Sequence, residues 1–214
     1  MSYRGLLKER DQKVDGHMPG DKWVWIDSDS GAWDGPAEDW EQSHKACYAR
    51  HCKKFDVVVC AGGNQGMYPF LFSKMFQWVY TFEPDPLNFH CLVNNCQDDR
   101  IIKMNAALGS ANKMIEVLRS SMTNTGMHKV GDSADAKVPC FMLDTFKFAT
   151  LDLIQLDVEG HELEILRGAL STLQQHRPVV TMEGGRNPDI NSIMTGLGYR
   201  DEAQTKSDTC WVPK

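Results

Sequence analysis

From about residue 56 the chain alternates between two spacings of apolar side chains. The run Val57-Val58-Val59-Cys60 is continuously apolar, as in a strand covered on both faces. Gly62-Gly63-Asn64-Gln65-Gly66 breaks it, and residues 67–77 carry apolar positions at helical spacing. Residues 78–82 predict a second strand, closed by Glu83-Pro84-Asp85-Pro86. Residues 87–97 predict a helix, with Pro86 suited to its first turn. A third strand is expected over 101–108, and β-like pieces at 114–118 and 138–142 flank a polar loop at 120–126. The pattern resumes with a strand at 153–156, a helix at 162–175, a strand at 178–182 and a helix at 188–197. Residues 199–204 and 209–212 predict a closing antiparallel pair. Such alternation specifies an α/β fold: a mostly parallel sheet, helices on both faces, and a closing antiparallel strand.

Residues 1–45 break the pattern. Trp23, Trp25, Trp33 and Trp40 stand there among Asp27, Asp29, Asp34, Glu38 and Asp39. This segment is expected to be either a cap whose indoles pack on the sheet domain or a wall of rings and carboxylates for a hydroxylated ligand. Residues 46–214 then form the sheet domain proper.

With 214 residues the chain has the length of a single domain and can bury a core without staples. Its formal net charge of −6 argues against a surface built to grip nucleic acid or anionic lipid. No apolar run approaches the roughly 20 residues of a membrane span. The start, MSYRGLLKERDQKVDG, has no apolar stretch of the secretory type, so a cytoplasmic protein is expected. Of the seven cysteines, Cys47/Cys52 and Cys91/Cys96 stand at C-x4-C spacing beside His51 and His90, where a zinc site would more usually show C-x2-C; the cysteines are expected to be reduced thiols, several buried as small hydrophobes.

In an open α/β sheet, ligands bind outside the carboxyl ends of the strands where strand order reverses. The first strand–turn–helix is therefore the candidate site. Gly62, Gly63 and Gly66 let a ligand approach the backbone, and Glu83 follows about 20 residues after the first glycine, the offset of a ribose-binding acid. The dinucleotide fingerprint fails, because Asn64 and Gln65 stand where glycine is needed, and no Lys-Ser/Thr completes a phosphate loop. A glycine turn with an acid but no pyrophosphate cradle suits S-adenosylmethionine.

The blocks VVVCAGGNQG, VYTFEPDPLNFHCLVNN, NAALGS, LDLIQLDVEGHELEILRGA and RPVVTMEG resemble, in order and spacing over residues 55–185, the FkbM family of S-adenosylmethionine-dependent methyltransferases. The resemblance implies a class I methyltransferase fold and O-methyl transfer, often to sugars or other polyhydroxylated acceptors. It places Gly62, Gly63, Asn64 and Gly66 in the cofactor turn, Glu83 on the ribose, and Asn105 and Ala106 near the adenine. Cys60 stands where the family usually has the aspartate that opens the turn, and on this alignment it belongs to the cofactor group.

Asp157, Glu159 and His161 follow the fourth strand, where the methyl acceptor should lie, and are the candidate catalytic residues. A carboxylate or imidazole there could take the acceptor's proton. Glu162 reads as a helix-capping acid. Asp157 with Glu183 could alternatively hold Mg²⁺, although two carboxylates do not make a metal site. Pro139-Cys140 invites comparison with cytosine methyltransferases, but it precedes the fourth strand and reads as a strand cysteine. A small-molecule or glycan acceptor is favoured. The alternatives are the same chemistry on nucleic acid or protein, and a binding module that has kept the fold without catalysis.

Overall fold

Two sheets and a hairpin organise the computed structural model, which describes residues 6–11, 22–29, 42–119, 129–130, 136–183, 187–202 and 208–214. The hairpin is β1 (Leu7–Asp11) with β2 (Lys22–Ile26), and helix α1 (Gln42–His51) leads into the sheet domain. There follow β3 (Val57–Ala61), α2 (Met67–Ser73), β4 (Trp78–Phe82), α3 (Pro86–Asn95) and β5 (Ile101–Met104). The next strands are short: β6 (Ala107–Leu108), β7 (Lys113–Leu118), β8 (Lys129–Val130) and β9 (Ala136–Phe141). The chain closes with β10 (Leu153–Leu156), α4 (Glu162–Arg167), α5 (Leu170–His176), β11 (Val179–Glu183), α6 (Pro188–Gly196), β12 (Tyr199–Asp201) and β13 (Asp208–Pro213).

The main sheet has the order β12-β13-β11-β10-β3-β4-β5, with only β13 antiparallel to its neighbours. This is the expected architecture. Strand order reverses between β3 and β10, so the crevice for a ligand opens at their carboxyl ends. The continuous apolar run of β3 is needed because all five of its residues are buried. Val58 and Cys60 face the layer of α1 and α2, while Val57, Val59 and Ala61 face the layer of α4, α5 and α6. Each such fully buried aliphatic side chain contributes about 1.5–3 kcal/mol.

Three elements depart from the sequence pattern. The strand expected over 101–108 splits, because Asn105 turns its amide onto the carbonyls of Glu83 and Pro84. The chain then leaves the main sheet, and β6 pairs with β9 in the four-stranded sheet β6-β9-β7-β8. The helix expected over 162–175 breaks at Gly168, whose backbone runs against Gly109: a Cβ there would lie 2.0 Å from the Gly109 carbonyl oxygen. Helix α1 has no clear apolar periodicity and was not expected.

The cysteine expectation needs correction. Cys47 and Cys210 are joined as a disulfide with Cα atoms 6.5 Å apart, and Cys52, Cys60, Cys91, Cys96 and Cys140 are free. Packing is the reason: α1 lies across β11 and β13, and both cysteines point into the core between them. The free thiols do behave as small hydrophobes, all buried except the half-buried Cys52.

Trp23 and Trp25 are core residues. Their rings stack 5.7 Å apart, Trp23 meets Phe70 edge-on at 5.5 Å, and Trp23 is completely buried. They therefore line no open wall. Trp33, Trp40, Asp34, Glu38, Asp39 and the loop at 120–126 lie outside the described residues.

Candidate functional site

The glycine turn is held from three sides. From β4, the Phe82 carbonyl accepts from the N–H groups of Gly62 and Gly63 at 3.0 and 3.1 Å. From β10, the backbone of Asp157 lies against Gly62 and donates to the Ala61 carbonyl at 3.0 Å. From the hairpin, Gln65 accepts from Ile26 N–H at 3.0 Å and donates to Asp29 at 2.5 Å. Gly62, Asn64 and Gly66 all have left-handed backbone, with φ of 87°, 45° and 110°. Only Asn64 carries a side chain in that conformation, as asparagine tolerates better than most residues.

Glu83 ends β4 beneath the turn. Its Oε2 accepts from Asn64 N–H at 2.7 Å and its Oε1 from Asp85 N–H at 2.8 Å, and the Asn88 side chain also bonds to it. An ionised carboxylate has about four acceptor positions, so about one remains for a ligand hydroxyl. The carboxyl is 4% exposed, and its pKa is pushed up to about 8. Burial is the main cause, opposed by the Asp85 N–H and reinforced by the Asp85 charge; the bonds from Asn64 and Asn88 oppose it further.

Asn105 fixes the next corner through the Glu83 and Pro84 carbonyls, at 2.9 and 3.1 Å, and Ala106 behind it is buried. The turn, Glu83, Asn105 and Ala106 thus converge at the carboxyl ends of three adjacent strands. Cys60 is placed differently. Its thiol is fully buried below the turn beside Thr81, with the pKa driven up by burial, so it supports the turn from inside the core. Its other register neighbour is Gln155, whose buried Nε2 has no acceptor.

The acids divide. Asp157 is half-buried at the end of β10, next to the glycine turn. Glu159 is also half-buried and sits in left-handed backbone at φ 52°, followed by Gly160 at φ 94°, so the chain doubles back into α4. Glu162 is buried and accepts from Gly160 N–H at 3.2 Å, as a capping acid does. His161 is half-buried and packs on Gly109: a Cβ on that glycine would stand 3.2 Å from the His161 Nε2. Burial lowers the His161 pKa, Glu164 opposing and Lys113 adding to the shift.

Glu183 is exposed at the end of β11, the strand beside β10. Among the described residues no group of three or more histidines, cysteines or acids is placed to hold a metal ion. Cys140 is buried in β9, a strand cysteine with its pKa raised chiefly by burial. None of the helices among the described residues is long and apolar enough to cross a membrane.

Sequence reasoning missed Gln65, Asn88, Asp29 and Arg119 as members of the site. Gln65 lies inside the quoted glycine block, so only its partners were hidden. Arg119 grips Asp85, a contact no local pattern announces.

The acceptors at the turn fit S-adenosylmethionine. The turn leaves the buried Oδ1 of Asn64 without a partner, an acceptor in the glycine turn itself, and Glu83 keeps an acceptor position for a ribose hydroxyl.

Comparison with known proteins relates the chain to methyltransferases. The chain is 27% identical to the hexuronic acid methyltransferase AglP of Haloferax volcanii over 150 residues, which is 65% of this chain and 62% of that protein. It superposes on the crystal structure of methyltransferase FkbM from Methylobacillus flagellatus KT with a TM-score of 0.50 and 20% identity, covering 74% of this chain and 43% of that one. The chain thus spans less than two thirds of either relative, and the structural likeness speaks for the fold. The methyltransferase FkbM domain model matches residues 61–200, from the end of β3 into β12. With that match extending over more than half of its length, the chain belongs to the FkbM methyltransferase domain family.

Proposed function

We propose that this chain transfers a methyl group from S-adenosylmethionine to a hydroxyl of an acidic sugar or a similar polyhydroxylated acceptor. The observation that carries the reading is the 2.7 Å bond from Asn64 N–H to Glu83, which joins the glycine turn to a strand-end carboxylate at the switch point of the sheet. The hexuronic acid methyltransferase relative supports the choice of acceptor.

In this reading Gly62, Gly63, Asn64 and Gly66 receive the cofactor, Glu83 takes a ribose hydroxyl, and Asn105 and Ala106 flank the adenine. S-adenosylmethionine, when bound, supplies an electrophilic methyl on a positively charged sulfur. The chain has to orient the acceptor oxygen in line with that methyl and accept its proton. Asp157, Glu159 and His161 follow β10 for this, with a carboxylate as the favoured base. Residues 46–214 carry the cofactor, and the hairpin supports its turn.

The test is labelled-methyl transfer to glucuronate-terminated and glucose-terminated glycans. Label that enters the glucuronate glycan and survives mild alkali marks a methyl ether on a hydroxyl. Alkali-labile label would mean esterification of the carboxylate instead. A chain that binds no S-adenosylmethionine by calorimetry would be a non-catalytic module.

A further inference from the structure

We infer that Arg119 is a positioning residue for the cofactor site: by gripping Asp85 it holds the Glu83 carboxylate in place for the ribose, an inference that rests on the S-adenosylmethionine reading above. Arg119 directly follows β7 of the small sheet. Its Nε lies 2.5 Å from Asp85 Oδ2 and its second terminal nitrogen 3.3 Å from Oδ1. The Asp85 carboxylate is completely buried, and the arginine side chain is 24% exposed. This is not an ordinary surface pair.

The same carboxylate caps α3, accepting from the N–H groups of Leu87 and Asn88 at 2.7 and 3.1 Å. One bond further, the backbone N–H of Asp85 donates to Glu83 Oε1 at 2.8 Å. Contacts therefore run without a gap from the guanidinium through Asp85 and Glu83 to the N–H of Asn64 in the glycine turn.

Two physical arguments make the guanidinium matter. A buried carboxylate stripped of its cation either reorients or takes up a proton, and here either change disturbs a helix cap and the Glu83 partner at once. A guanidinium that spans both oxygens also fixes the plane of the carboxylate, which an ammonium point charge does not. The Asp85 charge pushes Glu83 toward its neutral form, so the cation on Asp85 limits that push as well.

The experiment compares S-adenosylhomocysteine with its 2′,3′-dideoxy form, binding each by calorimetry to the native chain and to Arg119→Met. Loss of one hydrogen bond to a buried carboxyl group weakens binding about tenfold, and that loss is expected for the parent ligand. The dideoxy ligand offers Glu83 nothing to hold, so its affinity should change by no more than about twofold. Arg119→Lys should fall between native and Met for the parent ligand alone. Should Arg119→Met fail to fold, Arg119→Lys carries the same comparison with a smaller loss. Equal losses for both ligands, or none for either, overturn the positioning role. A native chain that binds neither ligand overturns the cofactor reading and this inference together, whereas a native chain that distinguishes them, with variants that distinguish them equally well, overturns this inference alone.

Discussion

A Cβ added to Gly62 would lie 1.8 Å from the carbonyl oxygen of Asp157. The glycine turn and the loop after β10 are thus in direct backbone contact, and the left-handed φ of 87° adds a second demand for glycine. Neither neighbour can yield, since Asp157 N–H is itself bonded to the Ala61 carbonyl. Gly62→Ala should cost at least about 1–3 kcal/mol from backbone conformation alone, with the clash adding to it. Thermal unfolding should show a clear drop in Tm, accompanied by loss of cofactor binding. A variant with native Tm and native affinity would mean that the two loops are not in contact.

Glu83 makes stability depend on pH in an unusual direction for an acid. Its pKa stands near 8 in the folded chain against 4.5 for the free side chain, so the folded state binds the extra proton between those values. Stability from this group is full below about pH 4.5 and is lost as pH rises through about 8, with a slope of up to about 1.4 kcal/mol per pH unit. Asp85 is the charged neighbour that strengthens the effect, and Asn64 and Asn88 weaken it. Denaturant melts from pH 5 to 9 should show the native chain losing stability relative to Glu83→Gln. Parallel pH profiles would show that Glu83 titrates normally.

Glu159 offers a way to separate strain from chemistry. Because it sits at φ 52°, Glu159→Gly removes a steric penalty and should leave Tm unchanged or raised. If Glu159 or Asp157 takes the acceptor's proton, then Glu159→Gly or Asp157→Asn should lower turnover by about 10²–10⁴-fold. Measured turnover near native in both variants would hand the role to His161 or to a mechanism without a base.

The disulfide closes a loop of 163 residues between α1 and β13. Removing such a link costs about 2–5 kcal/mol. Cys47→Ser, or the native chain in reductant, should unfold at lower denaturant than the oxidised chain. Thiol titration of the oxidised protein after unfolding should find the five free cysteines. Seven reactive thiols in a non-reducing preparation would show the link to be absent.

What was legible in the sequence was local. The glycine block, Glu83 at the next strand end and the acids after β10 each follow from neighbours within one strand–turn–helix unit, and the strand–helix alternation gave the main sheet. The supports of the site were not legible, because they join distant residues with no periodicity. Cys47 meets Cys210 across 163 positions, Val24 meets Asn95 across 71, and Asp85 meets Arg119 across 34. His161 packs on Gly109, a neighbour distant in sequence that no local pattern announces. The tryptophans left two readings open, since spacing cannot tell an indole that stacks on a sugar from one that fills a core; Trp23 and Trp25 fill the core.

The hairpin bears on the order in which the chain can assemble. Val24 exchanges two hydrogen bonds with the side chain of Asn95, at 2.7 and 2.9 Å, so that an amide near the end of α3 takes the place of a neighbouring strand. The same amide also donates to the Gln65 carbonyl at 2.7 Å. Until α3 exists, the outer edge of β2 has no such partner, and closing a loop of this length is slow compared with forming a hairpin or a helix. On the ribosome the first strands must therefore wait for some 70 further residues before they dock. The glycine turn, although encoded early, is completed only when they do.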